Sequence, residues 1–588
     1  MAEKKSVSGK ALDRNLLRRM ISYVKPYRAQ FGLAWALTIL MAILSPVQPL
    51  LVQRALDAEV AVGDMDGLHV VILLIFGLLV LQGIIMYGST YLTNWLGQSI
   101  IRDIRQQVFR HILKLKLSYF DRTPIGTLQT RTINDVETLN NVFTSGLVRI
   151  LSDLLQLIAI LIAMLYLSWQ LTLAVLVTLP LLIWSTIVFK NYVKVAFQQV
   201  RKSVSELNAF VQEHLTGMSI IHIFNREDEE MNRYDEINDR LKVANVKTVL
   251  YYSIFYPVVE IITAATLGIL VWYGAHRVIA QDLQFGELVA FIMFVQMFFR
   301  PIRMLADQFN TLQMGMVSAE RIFNILDTRE FIPDEGEDTP QAANGQQAIS
   351  IEFRNVFFAY KEDEYVLKDI SFRAEPGEKV ALVGSTGSGK TTIINLLNRF
   401  YDIQKGDILI DGVSARDYDL DALRSLTGVV LQDVFLFSGS IFDNITLNNP
   451  DIPREQVVEA AKRVGAHDFI MKLPGDYSYQ VRERGATLSL GQRQLIAFAR
   501  VMTYDPSILV LDEATANIDT ESEEIIQQAI DTVLKGRTSI IIAHRLSTIQ
   551  RCDQILVLNK GEIIERGDHF ELLRQGGAYF DLHQMQAV

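Results

Sequence analysis

Residues 384–392 read GSTGSGKTT and directly follow the apolar segment Lys379-Val380-Ala381-Leu382-Val383. Gly384, Gly387 and Gly389 let the backbone bend until successive N–H groups converge on a polyphosphate. Ile393, Ile394, Leu396 and Leu397 then open a helix whose positive end faces the same point. The spacing G-x-x-x-x-G-K-[ST] between a strand and a helix is that of a phosphate cradle, so Ser385, Thr386, Ser388 and Thr392 join the glycines as nucleotide-binding candidates. Lys390 would reach the β- and γ-phosphates, and Thr391 would offer its hydroxyl to Mg²⁺. Further on, Ile508-Leu509-Val510-Leu511 reads as a buried strand that delivers Asp512 and Glu513 to its carboxyl end, where open α/β sheets bind ligands. Asp512 suits the Mg²⁺ shell, while Glu513 is placed to polarise the water that attacks the γ-phosphate. His544 ends the strand-like run Ile540-Ile541-Ile542-Ala543 and is expected to contact the γ-phosphate; a lone histidine is otherwise more often structural.

These residues need a sheet to hold them. From Ile349 onward strand-like segments (351–353, 379–383, 407–410, 428–431, 508–512, 539–543 and 554–559) alternate with helical ones, which predicts an α/β domain over 349–588 with a mainly parallel sheet. A polar, acidic stretch with Pro333, Pro340, Asn344 and Gly345 and no apolar periodicity separates it from the first half, so 328–348 is read as a linker.

The first half, 1–327, is of another kind. Apolar, almost uncharged stretches at 31–52 and 69–93 are each long enough for a bilayer core of about 30 Å. The block 146–189 is twice that length and breaks at Ser168-Trp169-Gln170, giving two spans and a hairpin; 254–273 and 288–304 follow, for about six transmembrane helices. Lysine and arginine concentrate in the long connections 100–145 and 190–253, which are helical in period and are expected to project as arms on the cytoplasmic side. Both termini fall on that side of a multi-pass cytoplasmic (inner) membrane protein. Leu16, Leu17, Met20, Ile21 and Val24, interleaved with arginines, suggest a short helix on the membrane surface, with an ordinary capping helix as the alternative. Asp153 and Glu260 fall inside predicted spans and are candidate substrate-cavity residues; the other reading puts them in water near the cytoplasmic ends.

The net charge of −10 and the lack of a basic run in the second half exclude a nucleic-acid partner. A single cysteine, Cys552, excludes an intramolecular disulfide, and the basic start, with no apolar core, is not expected to be a cleaved signal.

Leu488-Ser489-Leu490-Gly491-Gln492-Arg493-Gln494, just before the Asp512-Glu513 strand, resembles the signature sequence of the ATP-binding cassette (ABC) transporters. With the glycine loop, Gln432, Ala516-Asn517-Ile518-Asp519 and His544, the resemblance covers the second half. Ser118-Tyr119-Phe120-Asp121, Gly126, Glu213, Gly217 and Phe224 extend it to the arms of a six-helix exporter domain. It implies an ATP hydrolase in which two cassettes close over two nucleotides, each held by the glycine loop of one chain and, in trans, by Leu488, Ser489, Leu490, Gly491 and Gln492 of the other. Tyr360 would stack on adenine, Gln432 would join Thr391 and Asp512 around Mg²⁺, Asp519 would link the two sites, and Glu483 would couple to the arms. Two departures stand out: Arg482 and Leu490 occupy positions where the family usually has glycine. The second favours a partner half-transporter of unlike sequence, with a homodimer as the alternative. The activity implied is ATP-driven export of a hydrophobic or amphipathic drug, lipid or similar cargo through the bilayer, with an ATP-gated channel or regulatory receptor on the same architecture as the alternative.

Overall fold

Six helical runs among the described residues are long and apolar enough to cross a membrane: Lys25–Val60, Met65–Lys114, Ile125–Leu167, Trp169–Thr216, Glu227–Ile279 and Phe285–Ile302. The computed structural model describes residues 13–334, 336, 348–361, 364–512, 520–543 and 546–587. It divides into one unit of Met1–Leu113 with Ile125–Thr328, and a second of Lys114–Pro124 with Arg329–Val588.

In the first unit α1 (Arg14–Ser22) is capped by Asp13, and α2 (Arg28–Leu44) and α3 (Met65–Lys114) follow. At 1.5 Å per residue the 50 residues of α3 reach about 75 Å, so most of the helix lies outside a hydrocarbon core of about 30 Å. The expected hairpin sits at Ser168, which ends α4 (Val148–Leu167) and caps α5 (Trp169–Leu176) by accepting from the Leu171 N–H. Two more long helices, α6 (Leu179–Thr216) and α7 (Glu227–Ile279), make the second arm. Phe189 of α6 lies stacked on Phe255 of α7 with ring centroids 3.9 Å apart. The last helix, α8 (Phe285–Leu326), continues through Pro301 well beyond residue 304. Hydropathy ends there although the backbone ladder does not. Phe291, Phe294 and Phe299 of α8 are fully buried with Leu171, Val175 and Leu270. α1 turns Met20 inward, and Arg19 forms a bidentate pair with Asp327 at 2.7 Å beside a Tyr23–Phe323 stack, while Ile21 stays exposed.

The second unit contains two main sheets where the sequence suggested one. The strands β1 (Ile351–Ala359), β2 (Tyr365–Ala374), β4 (Lys405–Ile410) and β5 (Val413–Ser414) pair antiparallel in the order β2-β1-β4-β5, so segments 351–353 and 407–410 lie outside the parallel sheet. Ile351, Phe353, Val356 and Phe358 of β1 point to the core, and their alternation marks a strand with one covered face. The larger sheet has the order β12-β11-β3-β10-β9-β6. It comprises β3 (Lys379–Gly384), β6 (Thr427–Val430), β9 (Ile508–Asp512), β10 (Thr538–Ile542), β11 (Gln554–Asn559) and β12 (Glu562–Gly567). All pairs in it are parallel except β11 with β12. β10 is buried at every position, Thr538 and Ser539 included, and its Ile540-Ile541-Ile542 stretch is apolar because both faces of the strand are covered. A two-residue pair, β7 (Gly439–Ser440) with β8 (Gln480–Val481), completes the strands.

Phe353 is buried and stacked 4.7 Å from Phe372 across the β1–β2 pair. Phe353→Ala should therefore destabilise this unit by about 3–5 kcal/mol, seen as a lower unfolding midpoint in a thermal melt of the full chain. An unchanged midpoint would contradict the packing described.

Candidate nucleotide site

Parallel register places the chemistry. Ile542 pairs with both Leu382 and Asp512, so the ends of β3, β10 and β9 are level and Asp512 stands beside the turn that follows β3. Val430 of β6 pairs with Leu511, and Gln432, exposed two residues further on, lies at the same carboxyl edge. That edge is where an open parallel sheet receives a ligand.

The glycine loop leaves β3 at Gly384 and enters α9 (Lys390–Leu397) with Gly389 as N-cap. Gly387 and Gly389 have φ of 83° and 107°, a conformation that side chains resist. A Cβ on Gly389 would also come within 2.5 Å of Leu367. Lys390 is 8% exposed, and its ammonium donates to the Gly384 and Ser385 carbonyls at 2.8 and 3.0 Å. Burial holds its pKa below the ordinary lysine range, and the Asp512 carboxylate pulls it back up. Ser385, Thr386, Gly387 and Thr391 are exposed around this turn, and Thr392 is buried behind it. The Ser388 hydroxyl is buried with no hydrogen-bond partner among the described residues. A buried unpaired hydroxyl is costly, and an acceptor oxygen brought into the loop would satisfy it. The cradle thus fits a polyphosphate. Thr391, Gln432 and Asp512 offer a hydroxyl, an amide and one carboxylate, the sparse oxygen set that suits Mg²⁺ carried in with phosphates.

Tyr360 follows β1 with its ring 46% exposed. Its hydroxyl lies 3.2 Å from Thr392 Oγ1 and accepts from Asn395 at 3.3 Å. Phe358 and Tyr401 meet the ring edge-on, at 4.8 and 5.1 Å. Tyr401 is a residue the sequence reading missed. Its hydroxyl donates to Asp121 Oδ2 at 2.5 Å, and burial together with that carboxylate pushes its pKa well above the usual phenol value. Asp121 belongs to Leu117–Arg122, a short helix held in this unit by a Lys116 N–H bond to the Glu330 carbonyl at 2.9 Å and an Arg122–Glu330 ion pair. The available signal was the aromatic pair Phe400-Tyr401 one turn past the end of α9.

In the signature run Ser489 caps α10 (Leu490–Tyr504). Its hydroxyl accepts from the Gln492 N–H at 3.2 Å and Gln492 Oε1 accepts from the Ser489 N–H at 3.0 Å, a reciprocal capping box. Leu488 is buried, Ser489 is exposed, and Leu490 is half-buried at the first helical position before buried Gly491. Glu483 opens a short 3₁₀ turn ending at Gly485. Glu513, Asp519 and His544 lie outside the described residues. In the membrane unit, Asp153 is half-buried on α4 and accepts from Gln308 Nε2 of α8 at 2.7 Å, whereas Glu260 stands on an exposed face of α7.

The family described as "ABC transporter transmembrane region" matches residues 31–302, and that described as "ABC transporter" matches 367–516. A Bacillus subtilis (strain 168) relative, "Uncharacterized ABC transporter ATP-binding protein YknV", is 40% identical over 97% of this chain and 94% of its own length. The "ATP-dependent lipid A-core flippase" of Syntrophus aciditrophicus (strain SB) is 33% identical over 97% of this chain and 94% of its own. A solved structure titled "Structure of a bacterial Atm1-family ABC exporter with ATP bound" superposes with a TM-score of 0.77 at 28% identity, covering 98% of this chain and 99% of the other. The chain belongs to the ABC transporter family, as an exporter-type half-transporter in which a six-helix membrane domain is fused to an ATP-binding cassette. It is an ATPase coupled to transport across a membrane.

Tyr401 packs at right angles to the Tyr360 ring, with centroids 5.1 Å apart. Tyr401→Ala should weaken binding of a fluorescent ATP analogue by about two- to tenfold, the worth of an edge-to-face aromatic pair. Tyr401→Phe keeps the ring and should stay within twofold of the parent. Equal affinity in all three proteins would show that the ring plays no part.

Proposed function

We propose that this chain exports a hydrophobic or amphipathic compound by alternating access, working as one half of a dimer in the cytoplasmic membrane with both termini in the cytoplasm. The observation that carries the proposal is the strand-end edge where Lys390, Asp512 and the orphaned Ser388 hydroxyl converge. Tyr360 offers a face to adenine, and the loop N–H groups with Lys390 hold the β- and γ-phosphates. Mg²⁺ would be held by Thr391, Gln432 and Asp512, where it neutralises phosphate charge. Glu513 follows Asp512 in the chain and orients the attacking water, with His544 beside the γ-phosphate. The second wall of the site comes from the Ser489 helix start of the partner chain. Asp519 links the two sites, and Glu483 meets the arms.

Leu490 shapes the partner assignment. Standing at the first position of α10, it adds an apolar side chain beside the Ser489 cap and supplies no donor of its own. The proposed partner is therefore an unlike half-transporter with an unaltered signature, against which Glu513 works. Two relatives, one an ATP-dependent lipid A-core flippase and one a probable multidrug resistance transporter, support a cargo with a large apolar part. Asp153, tied to Gln308, and Glu260 remain the proposed polar contacts in the cavity. Closure of the cassettes on ATP would drive the helices from inward-open to outward-open, and hydrolysis would reset them.

Glu513→Gln should bind ATP nearly as tightly as the parent and hydrolyse it at least a hundredfold more slowly, the worth of a positioned base. Lys390→Ala should lose binding itself. Measured binding and phosphate release separate the two, and near-normal turnover in Glu513→Gln would assign the water to another residue.

A further inference from the structure

The second arm is a helical hairpin: α6 ends at Thr216, α7 begins at Glu227, and residues 217–226 between them carry the short helix Met218–Ile223. His214, in the last turn of α6, reaches across it. Its Nε2 lies 2.7 Å from Glu230 Oε2 in the first turn of α7, and its Nδ1 lies 2.8 Å from the Phe210 carbonyl one turn back on α6. Both ring nitrogens thus face oxygens that can only accept. A neutral imidazole has a single N–H and would press a lone pair against one of the two oxygens, so only the doubly protonated ring satisfies both. Glu230 Oε1 accepts from Arg233 at 2.8 Å, which leaves Oε2 to His214. The Phe210 ring lies flat on the imidazole with centroids 3.7 Å apart, and its π face favours the cation. The His214 and Glu230 side chains are 20% and 18% exposed, so water screens this pair less than it does an open surface pair. Besides Glu230, the charged groups that face His214 among the described residues are Glu213 on its own helix and, across the carboxylate, Arg233 on α7.

We propose that His214 and Glu230 form a proton-operated clamp on the tip of the second arm, shut while His214 carries both ring protons and released when one leaves. The pair belongs to the connection 190–253, outside the spans. Its hydrogen bond to Glu230 raises the His214 pKa above the ordinary 6.5, and the same bond lowers the Glu230 pKa. A histidine whose pKa is raised stabilises the folded tip in full below its ordinary value, and that contribution is lost as pH rises through the raised one. The tip is therefore tight in mild acid and loosens on the alkaline side of the ordinary histidine range. With the clamp shut the ends of α6 and α7 move as one body, and with it released each can shift against the other. A second pair, His222 Nδ1 with Glu227 Oε1 at 2.7 Å, needs only one N–H and is 62% and 49% exposed, so it serves as a control and not as a clamp.

Hydrogen exchange of the purified full chain in nanodiscs, without nucleotide, is followed from about pH 6 to about pH 9 and corrected for the chemical exchange rate at each pH. Backbone amides of residues 214–230 in the parent should lose about tenfold in protection across that interval, the worth of a charge-assisted hydrogen bond partly open to water. Amides of β9 should keep theirs and report an intact fold. His214→Gln and Glu230→Gln should show the alkaline-side protection at every pH. His214→Lys, which keeps a cation for Glu230 and does not titrate in this interval, should hold the acid-side protection throughout, and His222→Gln should leave the step in place. Flat protection in the parent, a step that survives in His214→Gln, or a step abolished by His222→Gln would overturn the clamp. The consequence for transport rests on the export reading: probe moved per ATP hydrolysed should fall across the same interval in the parent and stay level in His214→Lys. An equal fall in both proteins would overturn the clamp's part in the cycle. A step in exchange in a chain that moves no probe at any pH counts against the export reading and leaves the clamp standing.

Discussion

The level ends of three parallel strands are the constraint on which the rest of the protein depends. Pairing of Ile542 with Leu382 on one side and Asp512 on the other fixes where the glycine loop begins relative to the carboxylate that follows β9. A slip by one residue would reverse the face of every side chain and part Lys390 from Asp512. The buried faces of β9 and β10 make such a slip expensive, since Leu509, Val510, Ile540 and Ile541 are all fully enclosed. Packing thus pre-forms the phosphate cradle: glycines supply its positive φ angles without steric cost, and a buried sheet supports a Ser388 hydroxyl that has no partner among the described residues.

α3 carries the backbone far out of its apolar span, and Lys114–Pro124 then belongs to the cassette unit. The Asp121–Tyr401 hydrogen bond ties this excursion to the aromatic cluster around Tyr360, so the surface proposed to meet adenine and the tip of the first arm share one side chain. A hydrogen bond to a charged acceptor is among the stronger polar contacts, worth about 1.5–3 kcal/mol.

Much of this was legible in the residues. The glycine loop, the continuous apolar runs of β9 and β10, and six spans of bilayer length each carry a pattern with one physical reading. Other features depend on tertiary context. β2 was missed because Lys368-Asp369 interrupts its apolar alternation where a register shift occurs, and β12, at the sheet edge, keeps no fully buried residue. The extension of α8 beyond residue 304 was hidden because hydropathy reports the lipid boundary and not the helix end. Tyr401 could not be paired with Asp121 from sequence, 280 residues apart.

The central claim is that phosphate chemistry at the strand ends moves a molecule through the helices. The most direct measurement places the purified chain, alone and with the proposed unlike partner half, in proteoliposomes with the cassettes outward, and follows an amphipathic probe and phosphate release in the same sample. The account predicts uphill accumulation of the probe inside the vesicles that requires ATP, stops with a non-hydrolysable analogue and is absent in the Lys390→Ala protein. ATP hydrolysis with only downhill ion flux, and no accumulation of any amphipathic probe in either pairing, would contradict it.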